Sequence, residues 1–175
     1  MSIIEGIIII VVAAFIGFIS KKAYNHFKSK PQKADNLPKR NKYFVGRKSE
    51  LRKIRVSLKK APLIVITGES GLGKSQLSIE YAYRHYSEYK HIWLVNAASS
   101  QQLIEGYKAF ARRIGLSWGN ENDPGVVLSH AKNWFDENRK FLFIFDNAEG
   151  TGSIQDFLPS ELNNGHVIVN TRNIE

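Results

Sequence analysis

No cysteine occurs in the 175 residues, so neither a disulfide framework nor a thiolate zinc site is available. The histidines at 26, 85, 91, 130 and 166 show no metal-ligand spacing, which removes an imidazole-based centre as well. No internal repeat is visible, and no Ser-His-Asp arrangement can be argued from the order of residues. Excess acid is missing too: 25 Lys and Arg stand against 16 Asp and Glu, a net charge of +9.

What the chain does have is Gly68-Glu69-Ser70-Gly71-Leu72-Gly73-Lys74-Ser75, the pattern G-x-x-x-x-G-K-[ST], directly after the apolar run Pro62-Leu63-Ile64-Val65-Ile66-Thr67. With glycine at about 7% of residues, fewer than about one in a hundred unrelated chains of this length contain it. The apolar run reads as a buried parallel strand and Lys74 to Tyr86 as a helix, so the glycines fall at a strand-to-helix turn. Glycines at 68, 71 and 73 let successive backbone N–H groups turn inward and cradle phosphate oxygens at the positive end of the helix. Lys74 is placed to bridge the β- and γ-phosphates and the Ser75 hydroxyl to help hold Mg²⁺; Gln76, next on the helix, joins the cofactor-binding set. The alternative is a turn that merely packs a helix on its strand, which needs no Lys-Ser pair after its last glycine.

A second site element is Phe141-Leu142-Phe143-Ile144-Phe145-Asp146, an apolar strand ending in an acid. Nucleotide hydrolases present the carboxylate that orients magnesium in this way. Asp146 is therefore the second metal-side candidate and, with Lys74, a candidate catalytic residue; a strand-terminating Asp in a turn is the alternative. The next position is Asn147, which cannot accept a proton as a water-activating acid would. Glu149 is near enough in sequence to substitute, although an exposed loop glutamate is the simpler reading. Hydrolysis is expected to be slow or absent.

Five segments in order now resemble the motifs of one family. They are Tyr43-Phe44-Val45-Gly46-Arg47-Lys48-Ser49-Glu50-Leu51, the loop Gly68 to Ser75, Ile92-Trp93-Leu94-Val95-Asn96-Ala97, Asp146-Asn147-Ala148-Glu149, and Val167-Ile168-Val169-Asn170-Thr171-Arg172. Together they resemble the NB-ARC domain of the STAND class of signal-transduction ATPases, over residues 43 to 175. The resemblance implies that Val45 and Arg47 help bind the adenine of ATP or ADP and that Arg172 senses its terminal phosphate; ordinary surface arginines are the alternative for both. It also implies a switch in which nucleotide exchange biases assembly with like domains or partners. Family members continue into helical and winged-helix subdomains that close over the nucleotide, and then into sensing repeats. No Gly-Leu-Pro-Leu motif, winged-helix histidine or repeat array precedes Glu175. The expectation is a truncated product, a fragment, or a chain whose lid comes in trans from a homo-oligomer or another protein.

Apolar strands at about 62–67, 91–96, 140–145 and 166–171 alternate with helical stretches at about 47–59, 74–87, 100–114 and 124–138. That order predicts a three-layer α/β P-loop core with a parallel, incomplete sheet. The strands lack alternation, as strands buried on both faces do. By the resemblance, the strand at 166–171 inserts between the one feeding the phosphate loop and the one ending at Asp146, and the usual fifth strand is missing outside the first. Such an edge predicts marginal stability unless a partner covers it.

The amino terminus differs in kind. Ile3 to Ile19 is apolar apart from Glu5, Gly6 and Gly17, and its uncharged part, Gly6 to Ser20, is short for the roughly 20 residues that span a bilayer. Residues 1–20 read as a single transmembrane anchor helix. A packed core helix lacks any globular context here, and a cleaved signal peptide lacks a leading basic residue and a clear small-x-small site; both stay open. Between Ser20 and Lys60, fifteen Lys or Arg face only Asp35 and Glu50, whereas residues 61–175 carry ten basic and thirteen acidic groups. The positive-inside rule then puts the nucleotide domain, residues 43–175, in the cytosol. Residues 21–42, with Pro31 and Pro38, read as a flexible basic linker able to lie on membrane lipids that are anionic, each cation adding about 1 kcal/mol. Nucleic acid ranks second as a partner, since the segment lacks the aromatic interleaving that stacks bases.

Overall fold

Among the described residues the strands are short and largely apolar, and the α-helices each bury one apolar stripe. The computed structural model describes residues 33–159, 162 and 165–172. Helix α1 (Lys48–Lys60) buries Leu51, Ile54 and Leu58, the i, i+3, i+7 spacing of one helical face. It leads into β1 (Leu63–Thr67), the glycine-rich loop 68–73 and α2 (Lys74–Arg84). A 3₁₀ turn (Tyr86–Glu88) precedes β2 (His91–Asn96), followed by α3 (Ser100–Arg113), whose Ser99 cap accepts from the Gln102 N–H. Helix α4 (Pro124–Glu137) starts on Asp123, which accepts from the N–H groups of Gly125 and Val126, with proline in the first turn. Then come β3 (Phe141–Ala148), a 3₁₀ segment (Gly152–Phe157) and β4 (His166–Thr171).

The sheet is wholly parallel in the order β1-β4-β3-β2, so β4 lies between the strand that feeds the phosphate loop and the strand that carries Asp146. One face packs on α3 and α4 through a cluster that includes Phe110, Trp134 and Phe135 against Phe141, Phe143 and Phe145. The other packs Leu51, Ile54, Leu77 and Tyr81 of α1 and α2 against Ile92, Leu142, Ile144 and Ile168. Burial on both faces is why β3 reads as an unbroken apolar run. It is also why truncating Phe143, which is 0% exposed, would cost about 3–5 kcal/mol.

The two sheet edges differ. Outside β1 no strand pairs among the described residues, and Val65 and Thr67 are exposed. Outside β2 the edge is covered by residues assigned above to the flexible linker. Asp35 bridges Ile92 in parallel, the Ile92 N–H donates to the Ala34 carbonyl at 2.9 Å, and the Asn36 amide exchanges two 2.7 Å bonds with the backbone of Leu94. Arg40 makes a bidentate pair with Glu80 (3.0 and 2.8 Å), and the Tyr83 hydroxyl donates to the Pro38 carbonyl. Residues 33–42, the described part of the predicted linker, therefore pack on the domain instead of running free. Hydrogen bonds to a strand edge hold this strap, and such bonds impose no apolar period on the sequence.

Among the described residues no helix is long and apolar enough to cross a membrane. The predicted anchor at 1–20 and the linker residues 21–32 lie outside the described residues.

Candidate functional site

The carboxyl ends of the parallel strands hold the predicted site residues other than Val45 and Arg47. Gly68, Gly71 and Gly73 have φ of 148°, 81° and 79°, a region that side-chain-bearing residues rarely enter. A Cβ built on Gly71 or Gly73 meets nothing within 4 Å, so what demands glycine there is the backbone turn. The turn delivers the chain into α2 with Gly73 as its left-handed N-cap, leaving the first-turn amides at the positive helix end. Lys74 folds back across the loop: its Nζ donates to the carbonyls of Gly68 (2.6 Å) and Glu69 (2.9 Å). An ammonium held on loop carbonyls has one of its three donors left and can exchange the others for phosphate oxygens.

Ser75 Oγ donates to Asp146 Oδ1 at 2.8 Å. Two adjacent ligands of an octahedral Mg²⁺ at roughly 2.0–2.1 Å lie about 2.9 Å apart, so the two oxygens could meet one ion once the hydroxyl proton turns off their shared edge. Among the described residues no cluster of three or more His, Cys, Asp or Glu exists.

Asp146 is held from a second side. Asn170 Nδ2 donates to the same Oδ1 at 3.0 Å, and Asn170 Oδ1 accepts from Ser78 Oγ at 2.8 Å. Ser78 and Asn170 are 0% and 1% exposed, and each satisfies the other. Neither was a candidate from sequence. The available signal was an asparagine inside an apolar strand, which a buried position tolerates only with a partner.

Asn147 sits at φ 64° in a β-bulge that shifts the β3–β4 register between Phe145 and Ala148. Asparagine tolerates the left-handed region better than most residues, and bulges re-aim side chains beside sites. The strand thus runs on to Ala148 instead of ending at 145. The Asn147 amide donates weakly to Asn96 Oδ1 at 3.4 Å.

A cleft of about 220 Å³ opens here, lined by Gly71, Gly73, Lys74, Ser75, Gln76, Asp146, Asn147 and Arg172 among others. A second cleft of about 440 Å³ shares Asn147, Ala148 and Arg172 with it and adds Glu149. Arg172 is exposed at the end of β4. Val45 and Arg47 do not line either cleft: Val45 is 85% exposed, while Arg47 Nη2 donates to the Leu72 carbonyl at 3.1 Å and so ties its segment to the phosphate loop. No protein-family model matches the chain, and no curated protein matches it.

Proposed function

We propose that this chain binds Mg-ATP or Mg-ADP at the Gly68–Ser75 loop and acts as the nucleotide-binding domain of a STAND-type signalling switch, with slow hydrolysis or none. The observation that carries the reading is the Ser75–Asp146 hydrogen bond, which joins the loop's hydroxyl to the strand-end carboxylate in the spacing of two ligands of one ion. The ion would be held by Ser75 and Asp146 and would supply charge neutralisation at the phosphates. The loop amides and Lys74 would hold the phosphates themselves, and Arg172, at the mouth of both clefts, would meet the terminal one.

Adenine selectivity, the NB-ARC resemblance and membrane anchoring by residues 1–20, with the domain in the cytosol, belong to the same proposal. They are supported by the order of the five motifs, by the Arg47–Leu72 hydrogen bond between the first motif and the glycine-rich loop, and by the charge distribution after Ser20.

The test is titration of the full chain with Mg-ATP, Mg-ADP and Mg-GTP by calorimetry, beside Lys74→Ala. Adenine-selective binding that the substitution removes is expected; no binding by either protein would sink the proposal. A second reading, a non-catalytic interaction module that keeps the fold, is favoured by Asn147, which leaves no acid directly after Asp146. It predicts no turnover and no effect of nucleotide on association with partners.

A further inference from the structure

The strand-start end of the sheet, opposite the nucleotide cleft, is ringed by cations. Lys59 and Lys60 precede β1, Lys90 precedes β2, and Arg139 and Lys140 precede β3. All five are exposed, and none forms an ion pair with a described residue. Lys90 and Lys140 are neighbours, since the Lys90 N–H donates to the Lys140 carbonyl at 2.6 Å. Lysine at 140 stands at φ 59°, where glycine or asparagine would sit with less strain. Lys59 and Lys60 complement the α1 dipole, but Lys90, Arg139 and Lys140 lie in turns beyond the helices. Among the described residues the acids at this end include Asp35, which accepts from the Tyr86 hydroxyl, Glu88, already paired with Arg55 (2.5 Å) and His85 (2.7 Å), and Asp136 and Glu137 in the last turn of α4.

The chain also enters the domain here. Lys33 Nζ donates to the Tyr86 carbonyl at 2.6 Å, and the Ala34 N–H donates to Nδ1 of His91, the first residue of β2. Twelve residues, 21–32, lie between the end of the apolar run at Ser20 and Lys33. Those twelve can reach about 40 Å at most.

We propose that this strand-start end, carrying Lys59, Lys60, Lys90, Arg139 and Lys140, docks on an anionic lipid bilayer and so turns the nucleotide cleft away from it. Charge complementarity selects the surface, and the point of chain entry brings it to the bilayer. The docking rests on the anchoring reading only for the tether. The cations themselves belong to the folded domain.

Because the chain has no cysteine, Ser87→Cys at this end and Gln102→Cys in the first turn of α3, at the cleft end, each give a single labelling site. Each labelled full chain is reconstituted into phosphatidylcholine vesicles with or without phosphatidylserine, together with headgroup-nitroxide lipid as quencher. Severalfold stronger quenching at 87 with phosphatidylserine, and the same weak quenching at 102 in both, is expected. Lys90→Gln, Arg139→Gln and Lys140→Gln together should remove the dependence without changing the circular dichroism spectrum. On the unaltered chain, salt near 1 M, where the Debye length falls to about 3 Å, should remove it as well. Equal quenching at both sites, or a response indifferent to phosphatidylserine, overturns the proposal. A single-stranded oligonucleotide that changes the signal at 87 as strongly as phosphatidylserine reassigns the face to nucleic acid and overturns it too. Carbonate extraction of the same vesicles separates the two readings: a released chain that still responds at 87 keeps the docking face and rejects the anchor.

Discussion

Ser75 and Asp146, 71 positions apart, are brought to 2.8 Å by the adjacency of the glycine-rich loop, β4 and β3. The contact is the first link of a relay that continues through Asn170 to the buried Ser78 hydroxyl. It spans α2 and the two central strands.

Asn170→Ala should leave the Ser78 hydroxyl without its acceptor and Asp146 without one donor. An unsatisfied buried group costs roughly 1–3 kcal/mol, so denaturant unfolding should show a loss of that size. Unchanged stability would mean the relay contributes nothing to the fold.

Ser75→Ala and Asp146→Ala should each weaken Mg-dependent nucleotide binding by about tenfold or more, near 1.4 kcal/mol. Since both would serve one ion, the double variant should lose less than the two singles added together. Additive losses, measured by calorimetry with and without magnesium, would argue against a shared metal.

Asn147→Asp keeps a residue that tolerates φ 64° and places a carboxylate on the wall shared by both clefts. ATP turnover should rise while nucleotide affinity stays within about twofold, because the phosphate grip is untouched. Turnover identical to the parent would show that this position does not reach the attacking water.

His91 should make the strap sensitive to acid. Burial first, and then the charges of Lys90 and Lys33, hold its pKa below the ordinary value of 6.5. A group with a depressed folded pKa favours the fold fully above its unfolded pKa, and that contribution is lost as pH falls through the folded one. Protonating Nδ1 would also remove the acceptor for the Ala34 N–H. Amide exchange at Ala34 should therefore accelerate as pH drops below about 6.5, after correction for intrinsic rates. His91→Gln should flatten that dependence; exchange indifferent to pH in the parent would refute it.

The elements that could be read from sequence were those with an internal period or an uninterrupted apolar run. Strands 63–67, 91–96 and 166–171 appear within a residue or two of their predicted bounds; in 91–96 and 166–171 burial on both faces writes itself as consecutive apolar residues, while 63–67 keeps the apolar run at a half-exposed sheet edge. The strap at 33–42 could not be read, since its grip depends on Asn36 meeting Leu94 and Arg40 meeting Glu80. Asn147 was visible as a missing acid but not as a left-handed bulge residue, which depends on the register of β3 against β4.

By itself, then, the sequence determined the glycine-rich strand-to-helix turn, the alternating α/β order and the strand-end acid, because glycine freedom and apolar patterning act locally. Tertiary structure alone decided that Ser75 and Asp146 share a bond, that Ser78 and Asn170 stand behind them, that residues 33–42 close one sheet edge, and that five cations gather at the end opposite the cleft. Each of these depends on distances between segments tens of residues apart, which strand order and register set only once the core has packed.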